Sequence, residues 1–131
     1  MGVGLAQGAL DEAIAYARER QAFGQPISKF QSIQAKIADL SAQIEAARLL
    51  TWRAALEKDA GQSFTLTAAQ AKLITGRLAV RATEEAVQIH GGYGYIEEYP
   101  VCRMYRDAKI LTIGEGTDEV QQMVIARQLG C

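Results

Sequence analysis

Cysteine, proline and histidine are nearly absent from this sequence: Cys102 and Cys131, Pro26 and Pro100, and a single His90. The two cysteines lie far apart with no C-x-x-C spacing, which supports neither a disulfide framework nor a zinc constellation and suits a reducing compartment. An excess of one charge is missing as well, with 14 Lys and Arg scattered against 15 Asp and Glu for a net charge of -1. Such a balance gives no electrostatic footprint for nucleic acid or an anionic membrane. No apolar run approaches the ~20 residues needed for a transmembrane segment, and Met1-Gly2-Val3-Gly4 has neither the charged nor the apolar part of a signal peptide. Strand periodicity is lacking too, since no stretch alternates apolar and polar residues over strand length. What is present is an apolar fraction of 49% in 131 residues, enough for a core and expected to form one domain over 1–131.

The apolar residues repeat with helical spacing. Leu5, Ala9, Ala13 and Tyr16 share one face of a first helix over about 5–20, which has no convincing N-cap residue ahead of it. Ile33, Ile37, Leu40, Ile44, Ala47 and Thr51 form a seam along a second, from about Phe30 to Ala60, with Gly61 as its stop. A third carries Ala69, Leu73, Gly76, Val80, Thr83 and Val87 at the same spacing, opened by a capping box at Thr67 and Gln70 and closed at Gly91-Gly92. Matching seams and a short connection predict an antiparallel pair. A loop over 93–98 leads to Tyr99-Pro100, where proline in a first turn opens a shorter helix to about Lys109. A last helix from about Asp118 to Leu129 carries Val120, Met123, Val124 and Arg127. The expected fold is all-α, an antiparallel four-helix bundle with a short extra helix.

Three local features can carry chemistry. Glu115 sits between Gly114 and Gly116 just before a helix start at Thr117. A carboxylate on so bare a backbone can be approached closely by a substrate, which makes it a candidate base; a plain turn with a surface Glu explains the same pattern. Arg20, at the end of the first helix, either complements the helix dipole or projects its planar guanidinium towards a phosphate. Gly91-Gly92-Tyr93-Gly94 follows a helix, not a strand, so it is no dinucleotide fingerprint. It is a helix C-cap whose exposed N–H groups can still meet phosphate or ribose oxygens. His90, without partners at ligand spacing, reads as a capping or packing residue, and no metal site is expected.

Taken together, Arg20-Gln21-Ala22-Phe23-Gly24-Gln25-Pro26-Ile27, Phe30-Gln31, Ala86-Val87-Gln88-Ile89-His90-Gly91-Gly92-Tyr93-Gly94, Met104-Tyr105-Arg106-Asp107-Ala108-Lys109-Ile110 and Gly114-Glu115-Gly116-Thr117 closely resemble the acyl-CoA dehydrogenase family. Order and approximate spacing match across essentially the whole chain, and what they match is the C-terminal helical domain, roughly the last third of a family member. The N-terminal helical domain and the middle β-domain are not in this sequence.

The resemblance implies a reaction and a cofactor. Glu115 would correspond to the base that removes the α-proton of an acyl-CoA thioester while the β-hydrogen leaves as hydride to FAD. Burial in an apolar, water-poor pocket would suit that base. Arg20 would reach the FAD pyrophosphate, and Phe23 belongs to the same motif. Gln31, Gln88, Gly91 and Gly92 would contact its ADP half across a subunit boundary, and Thr117 and Glu119 would add flavin contacts. The resemblance further implies a homo-oligomer (dimer or tetramer), electron-transferring flavoprotein as electron acceptor, and a cytoplasmic location, or the mitochondrial matrix in a eukaryote. It implies too that the 131-residue fragment alone is inactive. Ala22 and Gly114 depart from the family pattern, where a polar residue and an aromatic residue are common. Two rival readings are a helical oligomerisation module without chemistry, and an acyl-CoA oxidase or flavin monooxygenase on the same scaffold.

Overall fold

The computed structural model describes residues 1–131. Four helices make the bundle: α1 (Gly2–Glu19), α2 (Gln31–Asp59), α3 (Thr65–His90) and, after two short pieces, α6 (Asp118–Gln128). The pieces are α4 (Gly92–Tyr95), a single turn that begins at the expected helix stop and runs into the expected loop, and α5 (Pro100–Ala108), which opens with Pro100 in its first turn as expected. The fold is the all-α one expected, with α3 at its centre: α1, α2, α5 and α6 all pack on it. The antiparallel course of α2 and α3 is visible in their polar pairs. Early residues of α2 meet late residues of α3, as Lys36 pairs with Glu85 and Asp39 with Arg81.

Small side chains decide how these helices approach. Ala6, Ala9, Ala13 and Ala17 of α1 face Ala82 and Ala86 of α3 in one core, with Leu10, Leu40, Ile44, Leu78 and Val101 filling the remaining volume. Alanine excludes water without holding the backbones apart, which lets the helices approach closely. Gly2 and Gly76 carry this further. A Cβ on Gly2 would lie 2.7 Å from the Thr75 carbonyl oxygen, and one on Gly76 would lie 2.6 Å from that of Leu111.

Several details differ from the sequence reading. Helix α1 begins at Gly2, not Leu5, with Met1 as an N-cap that makes no side-chain hydrogen bond. Its buried face is Ala6, Ala9, Leu10, Ala13 and Ala17, leaving Leu5 and Tyr16 at the rim. The Thr67–Gln70 capping box does not form: the N-cap of α3 is Phe64, three residues earlier, which puts Thr67 inside the first turn. There the buried Thr67 hydroxyl, with Arg53, holds the Glu57 carboxyl of α2 below the ordinary carboxylate range. Thr51 ends the α2 seam on the exposed side, its hydroxyl turned back to the Ala47 carbonyl at 2.8 Å. One antiparallel hairpin interrupts the helices, β1 (Gln21–Ala22) with β2 (Gln25–Pro26). Two residues per strand are too few for alternation to show.

The bundle exposes 8013 Å², against about 6,800 Å² for a compact chain of 14.2 kDa. Part of the excess is apolar: Trp52, Leu56, Ile110, Met123 and Leu129 are all more than half exposed. Helix α6 buries no residue fully. No helix is long and apolar enough to cross a membrane.

Candidate active site

The expected site residues fall at two places along α3. At its C-terminal end the chain turns through Gly91, whose φ of 61° suits glycine. Helix α1 ends alongside, with Arg20 extended and its N–H donating to the Tyr16 carbonyl at 2.9 Å. Between them lies a cavity of about 500 Å³ lined by Tyr16, Arg20, Ile27, His90, Gly91, Gly92 and Tyr93. Arg20, Gly91 and Gly92, far apart in sequence, thus share one opening.

An aromatic cluster floors this cavity. The rings of Tyr16 and His90 stack at 4.2 Å, and Tyr99 meets both edge-on at 6.0 and 5.6 Å. Buried His90 also joins its Nδ1 to the Ala86 carbonyl at 2.8 Å. It is a packing residue, as its isolation in sequence suggested. The Arg20 guanidinium stands 5.6 Å from the Tyr93 centroid, a cation–π approach that steers its planar fork. Burial raises the Tyr16 hydroxyl above its ordinary value, and the Arg20 charge partly opposes that shift. In the sequence Tyr16, Tyr93 and Tyr99 are legible only as a helix-face, a glycine-loop and a helix-start residue, since single tyrosines on separate segments give no sign that they meet.

Phe23, Gln31 and Gln88 lie around this end without lining the cavity. Phe23 occupies the hairpin turn at φ 50° and is 96% exposed, its ring edge-on to that of Phe30 with centroids 6.1 Å apart. Gln31 opens α2 with its side chain in solvent. Gln88, also exposed, accepts the Gly91 N–H on its carbonyl at 3.2 Å.

The Glu115 loop docks fifteen residues earlier on α3, about 22 Å away along the helix axis. A 3₁₀ turn over Lys109–Thr112 drops the chain onto Gly76, and the Gly114 N–H returns to the Ile110 carbonyl at 2.7 Å. Glu115 and Gly116 then take φ values of 57° and 90°. Glu115 and Phe23 are the chain's two non-glycine residues with positive φ, a conformation that costs of order 1–3 kcal/mol and collects at functional sites. Glu115 is exposed at the edge of a cavity of about 350 Å³ lined by Gly2, Lys72, Thr75, Gly76, Leu111 and Gly114. Its carbonyl accepts from Gln121 Nε2 at 3.4 Å, while its carboxylate makes no hydrogen bond or ion pair within the chain. The apolar enclosure expected around it is therefore not built by these 131 residues.

Thr117 and Glu119 open on a neighbouring cavity of about 370 Å³, with Arg77, Lys109 and Ile113. Thr117 is the N-cap of α6, its hydroxyl accepting the Val120 N–H at 3.4 Å. That hydroxyl and the residue's own N–H hold the Glu119 carboxyl below its ordinary value. Arg77 of α3 donates to Asp118 at 2.9 Å and ties the start of α6 to the core.

The arrangement is thus an α-helical domain that presents a free carboxylate on a glycine loop and an arginine beside an open glycine turn. Sequence comparison matches residues 1–130 to the family described as acyl-CoA dehydrogenase, C-terminal domain. A probable acyl-CoA dehydrogenase of Bacillus subtilis, YngJ, is 56% identical over 129 residues, covering 98% of this chain and 34% of the relative. The solved butyryl-CoA dehydrogenase of Megasphaera elsdenii superposes with a TM-score of 0.96 at 54% identity, over 98% of this chain and 33% of that one. An FAD complex of PigA superposes with a TM-score of 0.94 at 33% identity, over 98% and 34%. The chain belongs to the acyl-CoA dehydrogenase family, as its C-terminal domain, and spans about a third of the length of the curated relatives it matches.

Proposed function

We propose that this domain serves an FAD-dependent acyl-CoA dehydrogenase in which Glu115 is the catalytic base. The observation that carries the reading is the state of Glu115: a carboxylate without partners, on a backbone strained to positive φ, at the edge of a cavity. Its proposed task is to take the α-proton of an acyl-CoA thioester, on the way to a trans-2-enoyl-CoA. FAD, when bound, supplies the acceptor for the hydride that leaves the β-carbon. A weak carbon acid demands a base held close and shielded from water. The glycines on either side of Glu115 serve the first need, and domains outside this chain serve the second.

The other end of α3 fits the cofactor. A Cβ at Gly91 or Gly92 would meet no atom within 4 Å, and both glycines line the cavity, where they leave the backbone open to a ligand. Arg20 offers a fork of donors that matches phosphate oxygens, and Phe23 and Gln31 border the same end. Gln88, Gly91 and Gly92 are assigned to the ADP half of a flavin shared with another protomer, which accounts for the exposed apolar surface and for a homo-oligomer. Thr117 and Glu119 are assigned to the flavin from the Glu115 side. Electron-transferring flavoprotein is the proposed electron acceptor. The domain alone has only part of this site and is inactive.

The test uses the full-length enzyme mixed anaerobically with straight-chain acyl-CoA thioesters, beginning with butyryl-CoA. The wild type bleaches its flavin band, and Glu115→Gln slows this by about 10²–10⁴-fold, the range of general acid–base contributions. Bleaching at wild-type rate in Glu115→Gln would place the base elsewhere.

A further inference from the structure

Two consecutive residues at positive φ do not hold themselves in place; such a loop persists only where its surroundings fix it. Glu115 brings no tether through its own side chain, and Gly114 and Gly116 on either side add freedom. What fixes the loop comes from two helices. Lys72, half-buried on α3, donates its Nζ to the Gly116 carbonyl, and Gln121 of α6 gives its Nε2 to the carbonyls of Glu115 and Gly116 at 3.4 and 3.3 Å. A Cβ on Gly116 would lie 2.8 Å from that same Nε2. Lys72 and Gly76 are four residues apart and so share a face of α3. That one turn receives the loop twice, at Leu111 through the missing side chain of Gly76 and at Gly116 through the ammonium of Lys72.

We propose that Lys72 is a positioning residue for the base: its charged hydrogen bond to the Gly116 carbonyl, backed by Gln121, sets the direction in which Glu115 leaves the loop. Lys72 lines the same cavity as Glu115, and its ammonium reaches from α3 to the loop at the Gly116 carbonyl. A charge-assisted bond to a backbone carbonyl is stronger than a neutral one, and the atom it holds belongs to the residue next to Glu115. The catalytic consequence rests on the proposed role of Glu115; the tether itself does not.

The experiment places Lys72→Met, Lys72→Arg and Glu115→Gln in the full-length enzyme. Amide hydrogen exchange over residues 114–121 and the rate of flavin bleaching by butyryl-CoA are measured together. In Lys72→Met the loop amides exchange about 10-fold faster, while the α3 amides from Leu78 to His90 keep their protection. Bleaching at saturating thioester falls by about 10–100-fold, the scale of a misplaced reacting group, with the half-saturating concentration nearly unchanged. Lys72→Arg restores most of both. If Lys72→Met does not fold, Gln121→Leu is the second variant, expected to loosen the same amides by a smaller factor. Loop exchange unchanged in the variant that folds overturns the tether. Faster exchange with wild-type bleaching overturns the positioning role. Bleaching that survives Glu115→Gln sinks the base itself, a failure visible without any Lys72 variant.

Discussion

The two ends of the site are built by opposite means. At the C-terminal end of α3, side chains do the holding: Tyr16 and His90 stack in the floor with Tyr99 edge-on to both, and Arg20 is steered by the Tyr93 ring. At the Glu115 end the backbone is held instead, through the carbonyls of Glu115 and Gly116 and through the close seat of Leu111 on Gly76. A surface proposed to receive an extended cofactor can be shaped by packed rings. A carboxylate that must meet a carbon–hydrogen bond is better presented by a short strained loop whose side chain stays free. The comparison also assigns the glycines different duties. Gly76 and Gly94 permit close packing, whereas Gly91 and Gly116 supply positive φ.

Substituting the packing glycines tests that division with the largest expected change in stability. A Cβ on Gly94 would lie 2.5 Å from the Val87 carbonyl oxygen and 2.9 Å from its Cα, so Gly94→Ala must displace backbone. It is expected to destabilise by about 1–3 kcal/mol in chemical denaturation, the scale of overpacking. Gly76→Ala meets the Leu111 carbonyl oxygen at 2.6 Å, and its loss is smaller because alanine returns up to ~1 kcal/mol of helix propensity. Only Gly76→Ala should also raise hydrogen exchange in the Glu115 loop. A stability gain at either position would show that the approach is not tight.

A smaller effect is expected from the aromatic floor. Burial keeps Tyr16 neutral in the folded state above the ordinary tyrosine value of 10.0, with the Arg20 charge opposing. A raised folded value means that the contribution is complete below that ordinary value and is lost as pH rises from there through the folded one. A spectrophotometric titration should show one of the five tyrosines ionising late, the late phase vanishing in Tyr16→Phe. Arg20→Leu should move it later still. A titration unaltered by Arg20→Leu would separate the guanidinium from this floor.

Much of the fold was legible because long helices repeat their apolar residues many times. The centre of the α2 seam at Leu40, Ile44 and Ala47, the stop at Gly61 and the proline start of α5 follow from local rules. The α3 seam was half right: Ala69, Gly76 and Thr83 are buried, Leu73, Val80 and Val87 are only partly so, and the core-facing Leu78, Ala82 and Ala86 were not placed in it. Helix starts were less legible. Thr67 satisfied a capping pattern, yet tertiary packing buried it beside Glu57 and moved the start to Thr65. In α1 the sequence picked out Ala9 and Ala13 but not Ala6 and Ala17, alanines whose weak contrast with the small residues around them hides the rest of the buried stripe. Of the candidate site, the loop around Glu115 and the Gly91 turn were visible as glycine patterns. Lys72 was not, because it lies 44 residues from Gly116 in a helix where a lysine ordinarily faces water. Gln121 and the tyrosines were hidden for the same reason, since their partners exist only after the helices pack.

The central claim is that the two ends of α3 do separate work, Arg20 for the cofactor and Glu115 for the proton. The most direct measurement sets Arg20→Leu beside Glu115→Gln in the full-length enzyme, recording FAD affinity and the bleaching rate per bound flavin. Arg20→Leu should weaken FAD by roughly 10–100-fold, from the loss of charge-assisted hydrogen bonds, with little change in the rate per bound flavin. Glu115→Gln should keep FAD and lose the bleaching. Flavin lost from Glu115→Gln, or bleaching lost from Arg20→Leu with its FAD affinity intact, would contradict that division.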